Sequence, residues 1–576
     1  MISNLIIKAL EKATGVKEIS LEIPVNSQFG DYSSNIVMQL WKSNYEPSKE
    51  PKKLLKKAQY VAGRPRELAK DIIKGLEKDT DLMEVVKKIE AAGPGFLNFH
   101  LKEGALIKNL EEINEKGEEY GNSEEGEGKT VVVDYSSPNI AKRFGIGHLR
   151  STVIGQALYN LYQKLGYKVI GDNHLGDWGT QFGVLLYQIT SKNLDPEKLS
   201  IEELEKLYVE FHQEEEKDPS LHEKAKEWFK KLEEKDPEAR RIWKILVETS
   251  LKEFQRIYAL LGIKIDYAYG ESFYEDYMPQ VIRELKEKGL LKKSEGAEIV
   301  ELPNLTPAMI VKSDGTTTYL TRDLATIKFR LESWNPDLVI YEVGNDQTFY
   351  FRQVFAVVKL LDWGKGKKFV HVNHGLIRFE HGKMSTRGGK TIQLEEVLDE
   401  AVKRAKEIIE KSETGRGLSE KEKEGVAKEV GVGAIVYFDL SHHPTSDIIF
   451  DWEKMFVLEG NSGPYLQYTL ARINSVLEKA KERGEKKEVK PNLEELSLLR
   501  TLIHYEEVVK TAAESFSPNL MTNYLFDLAQ KFNNFYNNHR ILESDNSEFR
   551  IELTSATGQI LKNGLKILGI ETPERM

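Results

Sequence analysis

Val131-Val132-Val133-Asp134-Tyr135 runs into Ser136-Ser137-Pro138-Asn139, and Gly145-Ile146-Gly147-His148 then opens a helical pattern. The β-branched run reads as a buried parallel strand and the Ser-Ser-Pro-Asn stretch as a loop. Beyond the glycines, Val153, Ile154, Ala157, Leu158, Leu161 and Leu165 fall within one arc of a helical wheel, and Tyr167-Lys168-Val169-Ile170 returns as a strand. This is a βαβ unit at the head of a doubly wound sheet. Glycines permit close backbone approach, a helix N-terminus favours anions, and His148 can donate to a phosphate oxygen. A Gly-X-Gly-His alone is equally a tight turn with a surface histidine.

Outward from this unit, Leu338-Val339-Ile340-Tyr341 and Phe369-Val370-His371-Val372 resume the strand pattern. Between the βαβ unit and these strands, about 195–265 is dense in Glu and Lys at helical spacing, as solvated helices inserted into a sheet domain are. One interrupted nucleotide-binding domain therefore spans 123–395. Upstream, 1–120 reads as a small α/β domain with turn-rich patches at Gly30-Asp31-Tyr32 and Gly93-Pro94-Gly95-Phe96, and the acidic stretch Gly117 to Lys129 reads as a linker. Downstream, 396–450 is a connective segment. From 451 to 576 the pattern is helical, with stripes Leu466, Leu470, Ile473, Leu477, Ala480 and Leu525, Leu528, Ala529, Phe532, Phe535, Tyr536, which predict a bundle. The fold class is multidomain: α/β segments followed by an all-α one.

Composition narrows the chemistry. The 576 residues exceed one hydrophobic core, and 40% hydrophobic with 30% charged residues is ordinary for a globular chain. There is no cysteine, which excludes disulfides, thiolate zinc sites and cysteine nucleophiles. The net charge of −10 counts against a general nucleic-acid coat protein but leaves room for a shaped RNA met by local basic patches. The opening Met1-Ile2-Ser3-Asn4-Leu5-Ile6-Ile7-Lys8 has no basic leader, and no apolar run is long enough to span a bilayer, so a cytoplasmic protein without membrane attachment is expected. His442-His443 and His371 with His374 lack carboxylates at ligand spacing, so no metal site is expected.

A second element lies about 235 residues beyond His148: Gly382-Lys383-Met384-Ser385-Thr386-Arg387-Gly388-Gly389-Lys390, glycine-flanked, with three cations and two hydroxyls. Such a loop can neutralise charge on a pyrophosphate leaving group, although alone it is also an ordinary basic loop. The pair resembles the H-I-G-H and K-M-S-K-S signatures of class I aminoacyl-tRNA synthetases. Flanking residues sharpen the resemblance to the arginyl-tRNA synthetases: Ser136-Ser137-Pro138-Asn139-Ile140-Ala141-Lys142, His148-Leu149-Arg150-Ser151-Thr152, Asp172 through Gly183, and Tyr319-Leu320-Thr321-Arg322-Asp323. Gly30-Asp31-Tyr32-Ser33 and Gly93 through Asn98 are similar to that family's N-terminal add-on domain, Asn461 through Tyr468 to the entry of its anticodon-binding bundle, and Gly569 through Met576 to its terminus.

The resemblance implies a Rossmann-like catalytic domain that activates arginine with ATP and Mg²⁺ and passes it to tRNA(Arg), with activation dependent on tRNA, in a monomeric enzyme. A guanidinium offers five donors in a plane, so its pocket needs rigid carboxylate and neutral acceptors. Asp134, Tyr319, Asp323 and Gln347 match amino-acid-binding positions of the family, and Ser137 and Asn139 match positions holding the α-amino and carboxyl ends. For ATP the resemblance implies Gly145, Gly147 and His148 on the phosphates, with Lys383, Met384, Ser385 and Arg387 from the loop. Gly145 stands where the signature has its first histidine. Thr386 replaces the loop's second lysine, whose charge the resemblance assigns to Lys142. Phe96 and Asn98 match a turn that holds a tRNA D-loop base, although Phe96 is as readily core filling. Tyr468 and Arg472 share a helical face near the anticodon-binding segment, with a core or salt-bridge role equally open.

Three rivals stand beside this reading. A cysteine-specific class I enzyme needs a thiol-coordinated zinc that this chain cannot build. A small-molecule nucleotidyltransferase has no use for the flanking segments. A non-catalytic synthetase-like tRNA binder is suggested by Gly145 and opposed by His148, Lys383 and the arginine-pocket residues.

Overall fold

The structure, a computed structural model, describes residues 1–24, 26–42, 65–379, 392–412, 415–480 and 490–576. The chain divides into two units, neither of them a single run of sequence. The first comprises 1–121, 472–510 and 524–563; the second comprises 122–471, 511–523 and 564–576.

In the first unit, strands β1 (Tyr32–Ser34), β2 (Val86–Ala92) and β3 (Phe96–Leu101) form a sheet in the order β1-β3-β2, antiparallel throughout. The central strand β3 buries Leu97, Asn98 and Phe99 in succession, so both of its faces are covered. The same unit takes in helix Leu493–Leu502 and part of helix Asn519–Asn538. The nearly inaccessible Asp31 carboxylate meets Arg500 at 2.8 Å, and the Tyr32 hydroxyl donates to Glu507 Oε1 at 2.8 Å. A buried acid needs such a partner, and here it is supplied from far along the chain.

The second unit is built on a four-stranded sheet with all pairings parallel. Its strands are β4 (Thr130–Asp134), β5 (Lys168–Asp172), β9 (Leu338–Gly344) and β10 (Lys368–His374), in the order β10-β9-β4-β5. Strands β6 (Leu291–Ser294), β7 (Ala297–Val300) and β8 (Ala308–Val311) make a separate antiparallel sheet that the sequence pattern did not suggest, because each is four residues long and turn-bounded. The charged stretch folds as helices Ile201–Glu215, Ser220–Glu233 and Pro237–Leu261, the first opened by a Ser200–Glu203 capping box. Val131, Val132 and Val133 are fully buried, as a central parallel strand requires. The sheet order reverses between β4 and β9, the switch point at which such sheets leave a crevice beyond the carboxyl ends of their strands.

Helix α1 (Gly147–Lys164) packs on the β4 side with its middle buried on nearly every face. Gly155 allows the approach: a Cβ there would lie 2.3 Å from Tyr135, a fully buried ring whose hydroxyl is held by Gln156 and the Lys264 carbonyl. Gly155→Ala should therefore destabilise the protein by about 2 kcal/mol, overriding the ~1 kcal/mol that alanine gains over glycine in an open helix. A thermal midpoint equal to or above that of the parent would show that the helix can shift away.

Candidate active site

At the switch point a cavity of about 450 Å³ is lined by Asp134, Ser137 and Asn139 from the β4 end and its loop, and by Tyr319, Asp323 and Gln347 from further along the chain. All six residues that the resemblance assigns to arginine thus come together, from segments about 200 residues apart. The volume lies within the usual range for small-ligand pockets. His174, Gly176, Glu271, Arg322, Tyr341 and Tyr350 complete much of the wall; His174, Gly176 and Arg322 lie within the quoted motifs, but sequence reasoning gave none of the six a site role.

The loop after β4 is held in an unusual backbone shape. Ser136, Ser137 and Ala141 have φ of +74°, +46° and +61°, a region that side-chain-bearing residues enter rarely and mainly where surroundings dictate it. Here they do: the Ser136 amide donates to Ser151 Oγ at 3.0 Å, Ser136 Oγ bonds the Thr152 and Tyr258 hydroxyls at 2.9 Å each, and the Ser137 amide donates to Asn173 Oδ1 at 3.0 Å. Ser137 Oγ in turn donates to Asp134 Oδ1 at 3.2 Å. Asn139 lies against Gly176, where a Cβ would sit 2.2 Å from Asn139 Oδ1. The glycine of His174-Leu175-Gly176-Asp177 is thus what leaves the asparagine its place.

Beneath the cavity lies a buried ion triad. Arg330, fully inaccessible, places Nη2 2.7 Å from both Asp134 Oδ2 and Asp172 Oδ2, with Nε donating to Asp172 at 2.8 Å. It belongs to helix α2 (Tyr319–Trp334), whose first turn carries Tyr319 and Asp323. Burial pushes the Asp172 carboxyl above its usual range, opposed chiefly by Arg330.

Asp323 does not pair with its neighbour Arg322, which reaches Glu271 at 2.8 Å. Instead Asp323 Oδ2 accepts from the Tyr350 hydroxyl, and Oδ1 lies 3.8 Å from His174 Nε2. Its side chain remains 29% exposed, yet the surrounding walls hold its carboxyl above the ordinary carboxylate range, with His174 and Tyr350 pulling the other way. The pocket therefore offers carboxylates that water solvates poorly and that an incoming cation would stabilise.

The nucleotide-side residues do not line this cavity. The Ile146 amide donates to the Ile392 carbonyl at 2.9 Å and the Leu394 amide to Phe144 at 2.7 Å, with Gly145 bridged to Gln393. The amides of His148 and Leu149 are also engaged, with Gly145 and Ile146 carbonyls at 3.0 and 3.1 Å. The first-turn amides at these positions are thus engaged within the chain, and the helix dipole and the His148 ring remain to meet an anion. The His148 ring lies edge-on to Phe144 with centroids 5.2 Å apart and Nδ1 3.3 Å from the Gly145 carbonyl; burial lowers its pKa. Lys142 sits with its ammonium 5.3 Å from the centre of the Tyr208 ring. Lys383, Met384, Ser385 and Arg387 lie outside the described residues.

In the first unit, Asn98 is only 2% exposed and its Oδ1 accepts from Ser33 Oγ at 2.9 Å, so the side chain braces the sheet. Phe96 at the start of β3 is half-buried.

The comparisons fit this arrangement. Family models match as tRNA synthetases class I (R), catalytic domain, over 109–452; DALR anticodon binding domain over 466–576; and Arginyl tRNA synthetase N terminal domain over 1–101. The chain is 40% identical to an arginine–tRNA ligase of Clostridium botulinum over 566 residues, covering 96% of each chain. It is also 40% identical to that of Halothermothrix orenii over 574 residues, 97% of this chain and 96% of the other. The solved arginyl-tRNA synthetase of Plasmodium falciparum superposes with a TM-score of 0.83 at 26% identity, over 100% of this chain and 99% of that one. The parallel sheet, its switch-point cavity and the matched catalytic model define a class I tRNA synthetase. Within that class, the chain belongs to the arginyl-tRNA synthetase family.

The ion triad yields a prediction. Arg330→Met leaves two buried carboxylates without a counter-charge and should destabilise the protein by about 3–5 kcal/mol. Carboxyls held above their unfolded pKa take up protons in the native state first, so the deficit should shrink as pH falls from 8 toward 5. Denaturant unfolding of both proteins across that range checks it; a deficit independent of pH would mean that the lost contact is packing and not charge.

Proposed function

We propose that this chain carries out arginine–tRNA ligation through the residues gathered at the switch point. The observation that carries the residue assignment is the cavity in which Asp134, Ser137, Asn139, Tyr319, Asp323 and Gln347 converge over the Arg330 floor. Asp323, Tyr319, Gln347 and Asp134 supply the carboxylates and neutral acceptors that bind the arginine side chain, while Ser137 and Asn139 receive the α-amino and carboxyl ends. An arginine carboxylate oxygen attacks the α-phosphorus of ATP, the bond to the bridging oxygen breaks, and pyrophosphate leaves. A terminal ribose hydroxyl of tRNA(Arg) then attacks the adenylate carbonyl, losing its proton as AMP departs. No side-chain nucleophile takes part; the protein positions the reactants and stabilises charge.

His148, Gly145 and Gly147 face the phosphates, with Lys142 and the Lys383 to Arg387 segment supplying cations. Mg²⁺ arrives with the nucleotide on its phosphates; among the described residues no group of three histidines or carboxylates is set to hold a metal. Segment 466–576 reads the anticodon and Phe96 meets the tRNA core. The resemblance favours a cytoplasmic, monomeric enzyme. No helix among the described residues is long and apolar enough to cross a membrane.

Arginine-dependent ATP–pyrophosphate exchange, with and without tRNA(Arg) and against lysine, glutamate and cysteine, tests the reading. Exchange with arginine alone, dependent on tRNA, is expected; none under any condition would favour the non-catalytic tRNA binder that Gly145 raises. Asp323→Asn should raise the arginine KM by roughly 30-fold or more, since a hydrogen bond to a charged partner contributes about 2–3 kcal/mol; an unchanged KM in steady-state exchange would remove Asp323 from the guanidinium site.

Burial holds the His148 pKa below its ordinary value, and an adjacent triphosphate would favour the imidazolium. ATP binding should therefore take up a proton between pH 6 and 7, and this uptake should vanish in His148→Asn, whose exchange rate should fall about 100-fold. Calorimetry in buffers of different ionisation enthalpy reads the uptake, and equal values for both proteins would place His148 away from the phosphates.

A further inference from the structure

The Asp323 end of the cavity holds a bond that the mechanism above does not use. Tyr350, in helix α3 (Thr348–Leu360), donates its hydroxyl proton to Asp323 Oδ2 on helix α2, and both residues line the cavity. The Tyr350 ring stands edge-on to Phe351, at 78° with centroids 5.7 Å apart, so packing sets the direction of the phenol. A phenol has one proton. With that proton committed to Asp323, its oxygen has only lone pairs to offer a ligand.

We propose that Tyr350 is a positioning residue that determines specificity for the guanidinium: it locks the Asp323 carboxylate and turns its own phenol oxygen into a second acceptor beside it. The inference rests on the arginine reading of the cavity. A guanidinium presents five donors and no acceptor in a rigid plane, so its contacts with these two acceptors are both productive. The neutral isostere citrulline carries a carbonyl oxygen in place of one donor group and would set acceptor against acceptor. Lysine presents a compact, strongly hydrated ammonium that cannot span a row of acceptors. Without the phenol proton the carboxylate can rotate, and its free oxygen can follow an ammonium as well as a fork.

The groups facing Asp323 are Tyr350 from α3, His174 after β5, Asp134 at the end of β4, Tyr341 on β9, Glu271 from the short helix beyond the helical insertion, and Arg330 on its own helix. Arginine requires the ionised carboxylate, so its binding weakens as pH falls through the Asp323 carboxyl. Tyr350 holds that carboxyl down, and removing the hydroxyl lets it rise.

The test uses the full-length protein with ATP and tRNA(Arg), comparing the parent, Tyr350→Phe and Tyr350→Gln in steady-state aminoacylation, with citrulline and lysine as inhibitors and a thermal midpoint for each protein. In Tyr350→Phe the arginine KM should rise about tenfold with kcat within roughly threefold, the acid limb of kcat/KM should move to higher pH, and the preference for arginine over both analogues should narrow. Tyr350→Gln, which restores a donor, should recover part of the KM. A Phe variant with the parental KM, acid limb and analogue preference overturns the proposal. So does one that loses stability and kcat with KM unchanged, since that is a packing role. If Tyr350→Phe does not fold, the Gln variant decides by the same readouts: a KM nearer the parental value with the acid limb retained supports the bond, and a tenfold loss despite the donor overturns it. A parent protein with no arginine-dependent aminoacylation would instead sink the arginine reading itself.

Discussion

The catalytic unit depends on one guanidinium shared between two carboxylates. Arg330 lies in the interior with Asp134 and Asp172, the last residues of adjacent strands β4 and β5, and it comes from the helix that leads into β9. Withdrawing three charges from water is unfavourable by several kcal/mol for each ion, so the arrangement persists only if the geometry is tight. That requirement fixes where α2 sits along the sheet. Its first turn, with Tyr319 and Asp323, is thereby placed over the strand ends where the crevice opens. The buried triad adds little to stability in itself; its contribution is to register a helix against two strands.

The charge balance above this floor follows from the same constraint. Asp134 spends one oxygen on Arg330 and receives Ser137 Oγ on the other. Arg322 is committed to Glu271. Asp323 is left with a neutral phenol and a histidine at 3.8 Å, and so is the carboxylate least compensated by cations. A cavity whose acids are partly neutralised by residents and whose remaining acid is poorly solvated favours a cation of one length, reaching from the Asp134 end to the Asp323 end. The left-handed backbone at Ser136 and Ser137 belongs to this picture: it turns the chain sharply enough to put Asp134, Ser137 and Asn139 on one wall, and hydrogen bonds with Ser151, Thr152, Tyr258, Asn173 and Asp134 hold it there.

Local pattern made the framework legible. Three consecutive valines, a helical arc and a returning strand are signals over short distances, and the four parallel strands occur where β-branched runs predict them. Periodicity could not convey partnership. Arg330 lies about 200 residues from Asp134, and Tyr350 follows Gln347 with no motif around it, so their roles exist only in the folded chain. The six pocket residues became visible through resemblance, and the three short strands β6 to β8 were missed because four-residue strands between turns resemble loops. The burial of Asn98 was hidden for a related reason: β3 is central in its sheet, and a polar residue on a strand covered on both faces points inward whichever face it takes.

The glycine at position 145 can be weighed in the same terms. The signature turn is stitched to the chain at both ends of Gly145, by Ile146 to Ile392 and by Leu394 to Phe144, and its own carbonyl faces His148 Nδ1. Ile377–Arg378, before the glycine-flanked loop, pairs with Ile448–Ile449. The segments preceding and following the loop are thus anchored through backbone hydrogen bonds, which a side chain at 145 would neither make nor break. What the glycine removes is one imidazole donor. The turn, the approach of residues 392–394 to it and the orientation of His148 are properties of the main chain, so loss of the first histidine subtracts a contact to the nucleotide without dismantling the frame that holds the second.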